Sequence, residues 1–299
     1  MSKLMLVHPL FLSKSPDEQS AGSPYFPLGL LYLAGYVRQH HYDVTIFDGT
    51  FETDESAFAA ALATELPELV GISTLLPTRE MALTLAQMAK DAGAIVVMGG
   101  PDPTRNPGKY LAHPQVDLVV HHEGEQTLVA LLDLLSQGPL STDALQNELG
   151  IAFRDQNGQP VINLPRPPID NLDTLPLPAR DLIDMNRYLD TWRDLNGYSS
   201  LTITTARGCP YGCEWCRDAV HGTTFRQRSA KSVVSEIKLL KERYSIDRLR
   251  VVDDVDGISR EWLEEWAETA NAMDAVVPFE ALNELTRKDI PMLDVRDSL

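Results

Sequence analysis

Basic residues are scarce in this sequence: 26 Lys and Arg face 43 Asp and Glu, for a formal charge of −17. A chain this acidic has no positive field to gather phosphates, which excludes nucleic acid and anionic membranes as general partners. Long apolar runs are missing as well. Leu4–Val7 (LMLV) ends at His8-Pro9, so it reads as a buried strand and not as a signal segment. No stretch reaches the ~18 apolar residues of a membrane helix. No GxGxxG follows the first strand, which disfavours a dinucleotide site. Cysteine is absent everywhere except in "TARGCPYGCEWC", which holds Cys209, Cys213 and Cys216. Three cysteines so close together make no disulfide framework and suit a reducing cytoplasm.

What is present is a βα rhythm. The runs Lys3–His8, Val44–Asp48, Leu69–Ser73, Ile95–Met98 and Val116–Val120 are short, apolar and β-branched, as strands buried on both faces should be. Helical patterns lie between and after them at Leu28–His41, Asp54–Glu65, Thr78–Ala92, Arg105–His113 and Glu125–Ser136. This order predicts an α/β fold, a doubly wound parallel five-stranded sheet of Rossmann-like type over residues 1–140. Ligands of such sheets sit at the strands' carboxyl ends. Here those ends are His8-Pro9, Asp48-Gly49-Thr50, Ser73–Leu76, Gly99-Gly100 and His121–Glu125. Glu123-Gly124-Glu125 is expected to cap the following helix, where acidic residues suit the dipole. His121 and His122, adjacent at a strand end, are expected to point apart and so make a poor metal pair.

Residues 141–199 read as a connection. Asn157-Gly158 signals a hairpin within Gly150–Leu164. Pro160, Pro165, Pro167, Pro168, Pro176 and Pro178 then predict an extended linker and not a packed element. A second βα series occupies 200–299: strand Leu201–Thr205, the cysteine loop, helix Ser229–Tyr244, strand Leu249–Val252, helix Ser259–Met273 and a candidate strand Ala275–Phe279. Ser229 and Ser259 are the expected helix caps.

Three thiolates at x3 and x2 spacing, with Gly208, Pro210 and Gly212 letting the loop wrap, suit one metal centre. A [4Fe–4S] cluster on three cysteines leaves one iron open. Zinc with His221 as fourth ligand is the rival, although the usual second ligand pair is missing. Packing as small hydrophobes is the plain alternative.

Cys209-x3-Cys213-x2-Cys216, with Trp215 before the last cysteine, resembles the signature of radical S-adenosylmethionine (SAM) enzymes. "RGCPYGCEWC" with "GTTFRQRSAKSVVSEI" resembles the subgroup in which a cobalamin (B12)-binding domain precedes the barrel, as in magnesium-protoporphyrin ester cyclase-like and B12-dependent methyltransferase-like proteins. "FPLGLLYLAGYVRQHHYDVTIFDGT", "VGISTLLPT", "VVMGGPDPT" and "VDLVVHHEGEQTL" resemble that subgroup's B12-binding domain. The resemblance implies a [4Fe–4S] cluster on the three cysteines, with SAM chelating the open iron. It implies reductive cleavage of SAM to a 5′-deoxyadenosyl radical, used for methyl transfer to, or rearrangement of, a small-molecule carbon centre. An electron donor such as flavodoxin or ferredoxin is implied with it. Trp215 falls near the adenine by resemblance, or is a core aromatic. Asp253 and Asp254 meet the SAM ammonium, or form a capping or solvated acidic loop. Arg226 and Arg228 meet the SAM carboxylate or an acidic substrate, or, as we favour, form surface ion pairs. Ser73, Thr74, Leu75, Leu76, Gly99, Gly100, Glu123 and Gly124 are the cobalamin candidates, with Leu75 or Leu76 near its lower face. The Asp-x-His-x-x-Gly motif, which supplies a cobalt ligand in B12 mutases, is absent around all seven histidines.

The family's barrel usually has six βα units, and the residues after Ser200 suffice for roughly three. The expectation is therefore a partial (β/α) barrel over 200–299. Three readings stay open: completion by a second polypeptide or by a homodimer, a short active enzyme, or a cobalamin carrier or partner subunit without SAM cleavage.

Overall fold

The computed structural model describes residues 3–15, 24–211, 220–255 and 259–281. The first unit runs β1 (Lys3–His8), α1 (Leu28–Gln39), β2 (Asp43–Asp48), α2 (Ser56–Glu65), β3 (Leu69–Ser73), α3 (Arg79–Asp91), β4 (Ile95–Gly99), α4 (Pro101–Arg105), α5 (Pro107–Leu111), β5 (Leu118–Val120) and α6 (Glu125–Gln137). After the short α7 (Thr142–Leu145) come β6 (Ile151–Arg154) and β7 (Pro160–Ile162). The sheet order is β2-β1-β3-β4-β5-β6-β7. The first five strands are parallel and the last two pair antiparallel.

Alternation explains why these strands read as unbroken apolar runs. Met5, Val7, Val70, Ile72, Val96 and Met98 face one layer, with Phe58, Leu62 and Leu85 from α2 and α3. Leu4, Leu6, Leu69, Val97, Leu118 and Val120 face the other, with Leu30, Ala34, Leu128 and Leu131 from α1 and α6. Successive side chains point to opposite faces, and both faces are covered. β1 lies one strand in from the edge; the chain goes out from it to the edge strand β2 and crosses back to β3 on the other side. That reversal opens a crevice between the carboxyl ends of β1 and β3.

Three expectations change in the structure. The hairpin forms around Gly158 (φ +75°), but it does not stand apart: Leu118 pairs with Phe153, so the hairpin extends the main sheet. Of the proline-rich segment, Pro160 begins β7, and the part beyond β7 stays out of regular strands yet is packed. Ile169, Leu172 and Ala179 are buried, and Ala179 N donates to Leu31 O at 2.9 Å. Gly35 of α1 makes room for it, since a Cβ there would stand 2.7 Å from Leu177 O. Finally, the candidate last strand begins later than its apolar pattern, because Pro278 has no N–H to give the ladder.

The second unit contains α8 (Met185–Asn196), β8 (Ser200–Ile203), the short pair β9 (Ala206–Arg207) and β10 (Arg226–Gln227), α9 (Ala230–Arg243), β11 (Arg248–Val251), α10 (Arg260–Ala272) and β12 (Phe279–Ala281). β8, β11 and β12 form a parallel sheet in the order β12-β11-β8. The serine caps form as expected: Ser229 Oγ accepts from Ser232 N at 3.1 Å, and Ser259 Oγ from Trp262 N at 3.3 Å. The second core includes Leu201, Ile203, Val233, Leu249 and Trp266, and it reaches Phe26 and Leu31 beside and within α1.

A buried ion triad reinforces that junction. Glu236 of α9 is 1% exposed. It accepts from Arg180 Nη1 at 2.7 Å and from Arg228 Nη1 at 2.5 Å. The arginines also reach Thr202 O and Thr204 O at 3.2 and 2.9 Å. Burial alone pushes the Glu236 carboxyl up, but the Arg180 and Arg228 guanidiniums outweigh it and hold the group below the usual carboxylate range. A carboxyl lowered in the folded state contributes stability above its unfolded pKa, and this is lost as pH falls through the folded value. Replacing Glu236 with Gln leaves two guanidiniums facing each other and should cost about 3–5 kcal/mol. Denaturant unfolding checks that loss. Thermal midpoints followed from about pH 5 down to about pH 3 should fall less steeply for Glu236→Gln than for the unaltered chain.

Candidate functional site

The crevice at the strand ends is a real cavity with room of about 240 Å³. Leu6, Ser73, Gly99 and Gly100 line it from the sheet, Leu30 and Leu33 from α1, and Gly124 and Leu128 from the start of α6. Glycine is required at one of these positions. Gly100 has φ +96°, and a Cβ there would lie 3.0 Å from both Thr74 N and Thr74 O. At Gly99 the nearest atom to an added Cβ is Val120 O at 3.7 Å, an ordinary van der Waals contact, so a side chain can be placed on that wall without backbone strain.

Of the residues anticipated for cobalamin, Ser73, Gly99, Gly100, Glu123 and Gly124 wall the cavity together. Thr74 is fully buried, with its N donating to Gly99 O at 2.8 Å, and does not line it. Leu75 and Leu76 are 47% and 66% exposed and also stand outside the lining. Arg207, which sequence reasoning missed, lines the cavity together with His122, expected at a strand end, and His221, weighed there only as a zinc ligand. The signal for Arg207 was its place next to Gly208-Cys209.

The described ends of the cysteine loop are firmly built. β9 and β10 pair antiparallel, with Arg207 opposite Arg226 and Ala206 opposite Gln227. Cys209 N donates to Gly222 O at 3.2 Å, and Gly208 N donates to Asp254 Oδ2 at 3.1 Å. Gly208 has φ +80°, and a Cβ would fall 2.2 Å from Thr224 O, so the loop can close only on glycine. Cys209 is half-buried and forms no disulfide. Cys213, Trp215 and Cys216 lie outside the described residues. Among the described residues no group of three or more His, Cys, Asp or Glu could hold a metal.

The two aspartates after β11 have different surroundings. Asp253 is buried and accepts from Thr204 Oγ1 at 2.5 Å, from Thr205 N at 2.7 Å and from Thr205 Oγ1. Burial pushes its carboxyl up. Neither a capping role nor a solvated loop describes it. Asp254 keeps a third of its side chain exposed beside Gly208, 3.5 Å from His221 Nδ1. The hydrogen bond with His221 is the main reason its carboxyl sits low. His121 and His122 do not point apart as expected. His122 takes φ +62°, which turns its ring to 5.4 Å from that of His121. Burial lowers His121, whose Nε2 has no hydrogen-bond partner.

Arg226 and Arg228 are not surface residues: they are 6% and 5% exposed. Arg228 belongs to the Glu236 triad, whereas Arg226 Nη1 stands 2.7 Å from Glu123 Oε1. The expected side-chain capping of α6 does not form: its N-cap is Gly124 with no side-chain cap bond, and Glu125 only stands in the first turn. Glu123 Oε2 accepts from Ile169 N at 2.8 Å. Glu125 Oε1 accepts from Arg207 Nη2 at 2.6 Å. Burial pushes Glu125 up, but Arg207 overrides this and holds it below the carboxylate range. Charges so deep are retained only when paired. The acidic loop after β5 therefore grips both ends of the cysteine loop.

Known proteins resemble this chain in sequence and in fold. A family model described as the B12 binding domain matches residues 19–132. An uncharacterized methyltransferase of Pyrococcus horikoshii, PH0819, is 34% identical over 263 residues, covering 86% of this chain and 54% of the relative. The anaerobic magnesium-protoporphyrin IX monomethyl ester cyclase of Rubrivivax gelatinosus is 28% identical over 272 residues, covering 89% of this chain and 47% of the relative. The chain thus spans about half the length of the curated relatives it matches. In fold it resembles the cobalamin-dependent SAM radical enzyme OxsB, solved with aqua-cobalamin and SAM bound. The TM-score is 0.78 at 19% identity, covering 93% of this chain and 38% of that one. It also resembles the radical SAM methyltransferase TsrM from Kitasatospora setae, at TM-score 0.72 and 21% identity, covering 91% and 52%. The chain thus contains a match to the B12 binding domain and is similar over most of its length to methyltransferases and cyclases of the B12-binding-domain radical SAM kind.

Proposed function

We propose that this chain is a cobalamin-dependent radical SAM enzyme that cleaves SAM reductively to a 5′-deoxyadenosyl radical. The product radical would act on a carbon centre of a small molecule, for methyl transfer or for rearrangement. One observation carries the reading: the ends of the cysteine loop wall the crevice of the B12-binding unit, through Arg207 and His221. Chemistry on the loop and a ligand in the crevice would then share one space.

The residues suit the cofactors. The crevice is mostly apolar and glycine-walled, fit to receive part of a large corrinoid. Its lining residues Ser73, Gly99, Gly100, Glu123 and Gly124 would hold that part, and the exposed Leu75 and Leu76 next to Ser73 would meet the remainder. Cys209, Cys213 and Cys216 would hold the cluster as thiolates. Asp254, low in pKa and facing the loop, is the better placed of the two aspartates to receive the SAM ammonium. Asp253 would act one step back, fixing Thr204 and Thr205 beneath the loop. Trp215 would, by the family resemblance, sit beside the adenine. Together the cofactors supply one-electron chemistry and a transferable methyl group. The chain binds them, orients them and keeps water from the radical. Methyltransferases and cyclases among the relatives leave both outcomes within the proposal.

Anaerobic protein given iron, sulfide, cobalamin, SAM and a strong reductant should form 5′-deoxyadenosine. Alanine at Cys209, Cys213 or Cys216 should abolish that product. Retained SAM cleavage in any of the three variants would overturn the cluster assignment. Gly99→Leu should push a side chain from that wall into the crevice. Absorbance titration should then show cobalamin affinity falling about tenfold or more, with cluster assembly in the absence of cobalamin unchanged, because about 1.4 kcal/mol of lost fit is already tenfold.

A further inference from the structure

We propose that Arg207 is a positioning residue that registers the cysteine loop against the crevice through Glu125 and Glu123, so that filling the crevice and assembling the cluster strengthen each other. This rests on the cofactor assignment made above.

The side chain of Arg207 is 6% exposed and lines the crevice. It donates to Glu125 Oε1 at 2.6 Å, stands 3.6 Å from Glu123 Oε1 and lies 5.4 Å from the ring centroid of Tyr32 on α1. Those two carboxylates flank Gly124, and all three residues line the same crevice. The backbone of Arg207 leads through Gly208 directly into Cys209. That short connection has no slack, because Gly208 is wedged against Thr224 O and tied to Asp254. The opposite end of the loop is held to the same acidic residues. Arg226 is the cross-strand partner of Arg207 and stands 2.7 Å from Glu123 Oε1. It also donates to Ile169 O at 2.9 Å and to His221 O at 3.2 Å.

A ligand seated against Gly124 must fix the Glu123–Glu125 loop. That loop fixes the Arg207 guanidinium, and Arg207 fixes the backbone of the first cysteine. Coupling of two sites is reciprocal, so a cluster on the loop must tighten the crevice's ligand by the same factor. Arginine suits the task better than lysine, since one planar group meets two carboxylates and an aromatic face together.

The test titrates aqua-cobalamin, followed by absorbance, into full-length protein with and without the reconstituted cluster. Electron paramagnetic resonance of the reduced cluster is recorded with and without cobalamin. In the unaltered chain cobalamin should bind about tenfold tighter when the cluster is present, within the usual range for coupled sites. Cobalamin should also alter the cluster spectrum. In the double variant Arg207→Met, Glu125→Leu, which removes both charges together, each cofactor should still bind. The affinity ratio should fall to about twofold or less, and the spectrum should stop responding. Arg207→Lys should recover part of the ratio, and it carries the test if the double variant does not fold. An unchanged ratio in these variants overturns the proposal, as does an unaltered chain that binds both cofactors with no coupling. An unaltered chain that binds no cobalamin, or assembles no cysteine-dependent cluster, overturns the cofactor reading itself and this inference with it.

Discussion

The buried ion pair between Arg207 and Glu125 lies where the two units of the molecule meet, and the geometry of the site depends on it. Its two side chains are 6% and 4% exposed, so each charge is stripped of water. Desolvation on that scale is offset only by close pairing and by satisfying the remaining donors. A pair of well-packed apolar residues would serve stability as well or better. The ions instead supply direction: a guanidinium must face its carboxylates, and this fixes one strand pair against one loop. The Arg180–Glu236–Arg228 triad applies the same constraint between α9 and the residues that lead into the cysteine loop. With both in place, the second sheet cannot slide along α1 without uncovering charge.

Around that constraint the chemistry is assembled from parts of ordinary kind. A parallel sheet that reverses its strand order leaves a crevice at the carboxyl ends of its strands. Glycine at 99 and 100 keeps the floor low. A second βα series brings a cysteine loop to the crevice wall, and Asp253 and Asp254 hold the base of that loop from the end of β11. No helix among the described residues is long and apolar enough to cross a membrane.

Much of the fold was legible because its signal is local. Each parallel strand announced itself as a short apolar run, the Asn157-Gly158 turn marked a hairpin, and Ser229 and Ser259 marked helix starts. What the sequence hid is pairing across long separations. Arg226 and Arg228, in an exposed-looking "FRQRS", read as surface charges, because nothing nearby names Glu123 or Glu236 as their partners. A clue existed on the acidic side. Glu236 falls on the helical face of Val233 and Leu240, and Glu125 on the face of Leu128 and Leu132. A carboxylate on an apolar stripe must find a buried cation. The packing of the proline-rich segment was hidden for a similar reason. Proline forbids ladders but not burial, and Gly35, which admits that segment, lies far away on α1. Within the site, backbone geometry was the readable part: Gly99 and Gly100 fell where expected, whereas Leu75 and Leu76 followed the strand end out of the crevice.

The central claim is that one rigid junction holds a cobalamin crevice and a cluster-bearing loop at a fixed separation. Pulsed electron paramagnetic resonance tests it directly, on protein holding Co(II) cobalamin and a reduced cluster together, since both centres are paramagnetic. The account predicts a dipolar coupling that reports a single narrow distance. A broad distribution of distances, or no coupling with both centres bound, would contradict it.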